Sequence, residues 1–146
     1  MAITKTYIPK TPLEQQYQQF WKVFNKVSSN DEAFCREFTP NKYASIRSYQ
    51  DYSIGKNYHI CAGIDFKKGM VRIKAYFRDI ADYQVIFQSN KERIEGEIGR
   101  QLLWKAFNTK GAIILYETAN FDKNSQWEEA CKVLISNMIN MKRVVG

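Results

Sequence analysis

The feature that most constrains this chain is a strict two-residue alternation over residues 71–78. Val71, Ile73, Ala75 and Phe77 are apolar, and Arg72, Lys74, Tyr76 and Arg78 interleave them. Successive side chains of a strand point to opposite faces, so one face of this strand meets a core and the other meets water. That pattern belongs to an antiparallel sheet, because parallel strands are covered on both faces and read as continuous apolar runs. The preceding segment behaves alike: Tyr58, Ile60, Ala62 and Ile64 alternate with Asn57, His59, Cys61 and Gly63, which predicts a half-buried strand. Lys67-Lys68-Gly69 is a turn between them. Tyr49–Ile54 reads as a further strand, ending at a Gly55-Lys56 turn. A three-stranded antiparallel meander is expected.

Elsewhere the period is helical. Thr11-Pro12-Leu13-Glu14 is a helix start: Thr11 caps, Pro12 takes the first helical position, and Glu14 completes a capping box. Leu13, Tyr17, Phe20, Phe24 and Val27 then mark one apolar stripe, with Trp21 beside it and half buried. A short helix is expected over 31–38, with Phe34 and Phe38 inward and Thr39-Pro40 as the stop. Ile80, Tyr83, Phe87, Ile94 and Ile98 predict a second long helix over 80–98, closed by a left-handed Gly99. Residues 102–107 and 112–117 flank Asn108-Thr109-Lys110-Gly111 and form a hairpin. Ser125-Gln126-Trp127-Glu128 is a further capping box, opening a last helix with Trp127, Cys131, Leu134, Met138 and Met141 on one stripe.

The order is helix, three strands, helix, two strands, helix. Grouped rather than alternating elements predict an α+β fold: an antiparallel sheet of about five strands with three main helices. An N-terminal arm over 1–12 precedes one domain over 13–146, since 146 residues leave little room for two cores. Aromatic residues make up 14% of the chain, which excludes intrinsic disorder.

The three cysteines stand 26 and 70 residues apart, with no CxxC or CxxH pair and a single histidine, His59. That excludes a zinc motif and favours reduced, buried thiols. No signal peptide and no apolar run of about 18 residues occurs, so the expected location is cytoplasmic, with no membrane partner. No cofactor is expected.

Charge directs attention to anionic partners. Lys and Arg number 22 against 15 Asp and Glu, a formal charge of +7, yet no like-charge block exceeds two residues. The excess is thus spread over the fold, as solubility alone would also require. The stripe Arg72, Lys74, Tyr76, Arg78, with Lys67 and Lys68 in the adjoining turn, offers cations interleaved with an aromatic on one strand face. Such a face suits phosphate contact with base stacking, or grips an acidic protein segment; it is equally the wet face of a half-covered sheet. Asp51, Asp65 and Lys67 form a second constellation. An acid, a gap, then Asp-x-Lys is the arrangement by which metal-dependent nucleases hold Mg²⁺ and steady the attacking water, although Asp65–Gly69 also reads as a plain polar turn. His59 and Cys61 share a strand face about 7 Å apart, but no third group orients them for nucleophilic catalysis. Glu95 and Glu97, two apart on a helix, point to different sides and form no carboxylate pair.

Tyr17-Gln18-Gln19-Phe20-Trp21, Tyr52-Ser53-Ile54-Gly55 followed by Tyr58-His59-Ile60, and Ile94-Glu95-Gly96-Glu97-Ile98-Gly99 followed by Leu103-Trp104 occur in a telling order, with Trp127 near the last helix start. This set resembles bacterial domain-of-unknown-function family 4268 over roughly residues 13–144. The resemblance implies no settled activity and supplies no catalytic residue; members often look like modules behind a nuclease-like domain. The element order also resembles that of small chaperone-like dimers of secretion systems, which implies a homodimer. Three classes of function follow: a non-enzymatic binding or adaptor module with a basic sheet face for nucleic acid or another anionic partner, a Mg²⁺-dependent nuclease-like enzyme, and a purely protein-binding dimer.

Overall fold

Helix α1 spans Pro12–Ser29 and starts as its sequence requires, with the Thr11 hydroxyl accepting from the Glu14 N–H at 3.1 Å. The computed structural model describes residues 7–55, 58–123 and 126–145. The reciprocal bond of the expected capping box is displaced by one residue: the Glu14 carboxylate accepts from Lys10 N–H rather than from Thr11. The buried arc of α1 is Phe20, Trp21, Phe24 and Ser28. Leu13, expected on the stripe, is 50% exposed, because the first turn overhangs the core. Trp21, expected half buried, is fully buried, and its indole N–H donates to the Arg47 carbonyl at 2.8 Å. That bond satisfies the one polar atom of a large apolar group, which lets the residue go inside. Helix α2 (Glu32–Glu37) is capped by Asp31 and brings Phe34 and Phe38 into the core.

Five strands follow: β1 (Tyr49–Ser53), β2 (Tyr58–Asp65), β3 (Met70–Phe77), β4 (Leu103–Ala106) and β5 (Gly111–Thr118). They form one antiparallel sheet in the order β1-β2-β3-β5-β4, so the expected meander and hairpin join through β3 and β5. The fold is α+β, as the grouping of periods predicts. Helix α5 (Trp127–Val145) packs on β2 and β3, and α1 and α2 pack on α5. Its predicted stripe of Trp127, Cys131, Leu134, Met138 and Met141 is buried throughout. Ser125 of the second capping box lies outside the described residues, as do residues 1–6 of the arm and Lys56 of the first turn.

The core occupies one side of the sheet only. Tyr52, Ile60, Ala62, Ile64, Val71, Ile73, Ala75, Phe77, Ile113 and Leu115 join the helical side chains there. Cys61, Ala112 and Ile114 are buried as well but belong to the other side and to no part of that core. Strand β2 is therefore covered on both faces from Ile60 to Ile64, rather than half buried as its alternation predicts. The cover is made of side chains from the strand next door: the Arg72 guanidinium lies over Gly63, so close that a Cβ on Gly63 would meet its Nη2 at 3.1 Å.

The expected single helix over 80–98 is a chain of turns. Helix α3 (Ile80–Asp82) widens into a π-helical turn over Tyr83–Phe87, tightens into a 3₁₀ turn over Gln88–Asn90, and resumes as α4 (Lys91–Ile98). The irregular part lies where Phe87 stacks on Phe77 at 4.3 Å and Tyr83 covers Gly111. It leaves Val85 and Ile86 exposed. Gly99 ends α4 in the left-handed conformation, at φ 88°. Just beyond, the Glu95 carboxylate accepts from the Leu102 N–H at 2.8 Å and the Trp104 indole N–H at 3.0 Å, fastening β4 to the helix end. Glu97 faces elsewhere and pairs with Arg93.

Those two bonds give a pH dependence with a definite sign. The Leu102 amide first, and the Trp104 indole second, hold the Glu95 carboxyl below its ordinary value of 4.5. A group depressed by folding stabilises the fold fully above its unfolded value, and that contribution is lost as pH falls through the folded value. Glu95→Gln should therefore melt below the wild type at neutral pH, and the gap should close as pH drops past 4.5. Thermal scans across that range test this; a gap independent of pH would refute it.

Candidate functional site

The side of the sheet away from the helices carries no covering element among the described residues. The register lays out its side chains in rows across the strands. Tyr49, Gly63, Arg72 and Tyr116 form one row, Asp51, Cys61, Lys74, Ile114 and Leu103 the next, and Ser53, His59, Tyr76, Ala112 and Lys105 the third. The two-residue period of β3 thus does what it implies: Arg72, Lys74 and Tyr76 stand on one face at steps of about 7 Å. Arg78 continues the line past the end of β3 and is exposed.

The turn lysines divide. Lys68 lines the same 390 Å³ depression as Arg72 and Tyr116 as well as a neighbouring one lined by Thr118–Asp122, whereas Lys67 lines only the second. Two cations missing from the sequence-derived set join the face. Lys105 is exposed in the third row, and Lys110 reaches over the Tyr76 ring at 5.7 Å, as Lys74 does at 5.4 Å. His59 lies tilted against the same ring, 4.8 Å between centroids and 35° between planes. Ion pairs elsewhere engage Arg93, Arg100, Lys132, Lys142 and Arg143; among the described residues none engages Arg72, Lys74, Arg78, Lys67 or Lys68. The Arg72 Nε is buried with no hydrogen-bond partner. A guanidinium donor taken out of water without an acceptor is costly, so Arg72 keeps hydrogen-bonding capacity that the fold does not use.

The acidic constellation is drawn apart. Asp51 pairs in register with Cys61, four residues from Asp65 along β2, a separation of about 13 Å. Asp65 caps its own turn by accepting from the Lys68 N–H at 2.9 Å. No grouping of three or more His, Cys, Asp or Glu side chains suited to a metal occurs among the described residues. The Asp51 carboxylate instead sits 3.8 Å from the His59 Nε2. Burial pulls the His59 pKa down, with Asp51 opposing and Arg78 and Lys74 reinforcing the fall. Burial also pushes the Cys61 thiol up to about 12, so this cysteine carries no thiolate at neutral pH. Cys131 is buried too, but Cys35, expected inside, is exposed on α2, where its thiol donates to the Ser28 carbonyl at the end of α1. A six-residue helix has only one inward column, and Phe34 fills it.

Tyr49 and Tyr116 are the open-face aromatics that sequence reasoning missed, being 37% and 46% exposed. Tyr49 alternates correctly with Gln50, but only the pairing with β2 tells which of the two faces water. Tyr116 ends the apolar run Ala112–Leu115, which hides the alternation of β5.

A family model described as "Domain of unknown function (DUF4268)" matches residues 16–146. The chain belongs to this family. No curated protein and no solved structure matches it. In this DUF4268 chain the residues that carry the resemblance are structural: Trp21 is a core anchor, Glu95 and Trp104 are bonded to each other, and Gly99 supplies the left-handed stop. Of the same motifs, Ser53, His59 and Leu103 stand on the open face. No helix among the described residues is long and apolar enough to cross a membrane.

Proposed function

We propose that this DUF4268 chain is a non-enzymatic binding module that takes nucleic acid on its open sheet face. The observation that carries this reading is a line of cations on an uncovered face, Arg72, Lys74 and Arg78, with no carboxylate paired to them among the described residues. Phosphate oxygens are acceptors, and a guanidinium binds them in a planar fork. Lys74, Arg78 and Lys68 add electrostatic contact, Tyr76 packs beneath the ligand, and Lys67 contributes only from the rim. The overall charge of +7 favours the encounter.

The test is a fluorescence-anisotropy titration with labelled DNA and RNA oligonucleotides at two salt concentrations. Binding should weaken steeply with salt, and the doubly reversed variant Arg72→Glu/Lys74→Glu should abolish it. Arg72→Gln alone should reduce the slope of log affinity on log salt by about 0.7 if one phosphate is lost. Unchanged affinity in the reversed variant would remove these residues from the site. Mg²⁺-dependent cleavage abolished by Asp65→Ala would replace the reading with the nuclease-like one, and a dimer that binds no oligonucleotide would replace it with the protein-binding one.

A further inference from the structure

The row that holds Arg72 also holds Tyr49 at one end and Tyr116 at the other, with Gly63 between Tyr49 and Arg72. Gly63 has no side chain, and the guanidinium occupies the space above it, lying low on the sheet. The two tyrosines flank this low centre and are the exposed large apolar groups of the row. Three strand spacings separate them, about 14 Å. The arrangement is a basic floor between two aromatic platforms.

We propose that this row selects single-stranded nucleic acid, with a base stacked on each of Tyr49 and Tyr116 and the intervening phosphate seated on Arg72. The inference rests on the nucleic-acid reading of the open face and specifies the strand state it takes. In a duplex the base faces are occupied by their neighbours, so exposed tyrosine rings gain nothing from it; an unpaired strand offers a face at every base. The charge complementarity is one-sided. The tyrosine row itself holds no carboxylate; Asp51, beside His59, and Asp65, which caps its own turn, stand one row away on either side, and neither is paired with Arg72. Stacking tolerates any base, so strand state rather than sequence is what the row reads.

The experiment compares a labelled dT oligomer of about 15 nucleotides, within the span of known single-strand modules, with the same oligomer annealed to dA. The full chain should bind the single strand at least about tenfold more tightly than the duplex. Tyr49→Ala and Tyr116→Ala should each weaken single-strand binding by about 5- to 100-fold, the range expected for losing one stacked base. Tyr49→Phe and Tyr116→Phe keep the ring and should stay within about twofold of the wild type. Duplex binding equal to or tighter than single-strand binding overturns the inference and leaves the nucleic-acid reading standing, and so does wild-type affinity in both alanine variants. Binding to neither probe at low salt overturns both.

Discussion

Trp21→Ala is expected to remove about 3–5 kcal/mol of stability, the range for deleting a large aromatic from a packed core. The indole is fully buried, edge-on to Phe20 at 5.0 Å and to Phe24 at 5.3 Å between ring centroids. It also ties α1 to the approach to β1 through the Arg47 carbonyl. Alanine would leave a cavity and free that carbonyl, so the two losses add at one place. Domains of this size are stable by only about 5–15 kcal/mol, and the variant should be partly unfolded on mild heating. Trp21→Phe separates the terms: it keeps most of the apolar volume and loses the bond, worth about 1 kcal/mol. Urea titration of the three proteins is the measurement. A loss under about 1 kcal/mol for the alanine variant would mean that α1 is not seated as described.

Gly111→Ala should be nearly as damaging, although it adds one methyl group. A Cβ at this position would stand 2.1 Å from Cγ of the Tyr83 ring and 2.4 Å from its Cδ1. Tyr83 is fully buried between the π-helical turn and β5, so the ring has nowhere to retreat. Overpacking of this kind costs about 1–3 kcal/mol, and occasionally more. The cause is testable by a double-mutant cycle with Tyr83→Ala. If the clash is the whole effect, Gly111→Ala should cost almost nothing once the ring is gone, and the double variant should match Tyr83→Ala. An undiminished cost in that background would place the fault in the strand itself.

Most of the fold was legible because its periods are clean. Val71–Arg78 alternates strictly and is a strand with one wet face; Trp127–Met141 keeps a single helical stripe and is one buried helix. Errors fell where tertiary contact overrides period. The stripe Ile80–Ile98 looks helical throughout, yet the segment is pulled out of regular geometry where Tyr83 meets Gly111. Glycine, which carries no periodic signal, is the partner that a one-dimensional pattern cannot show. Likewise Cys61 and Gly63 read as outward-facing, and they are, but Arg72 and its neighbours cover them. Of the candidate face, Arg72, Lys74 and Tyr76 came from one strand and needed no pairing information. Tyr49, Tyr116, Lys105 and Lys110 came from three other segments, and only the strand order brings them alongside.

The packing of α1 on α5 has a consequence for synthesis. The carboxylate of Glu37 bonds Lys142, 105 positions further along the chain, and also Arg143, and Phe20 and Phe24 share a core with Leu134 and Met138. A ribosome adds about 5–20 residues per second, so the first helix is extruded many seconds before the one that must cover it. During that interval its aromatic arc has no partner. The nascent chain is thus most exposed to aggregation before α5 is made, and a chaperone that recognises aromatic helices has its opportunity then.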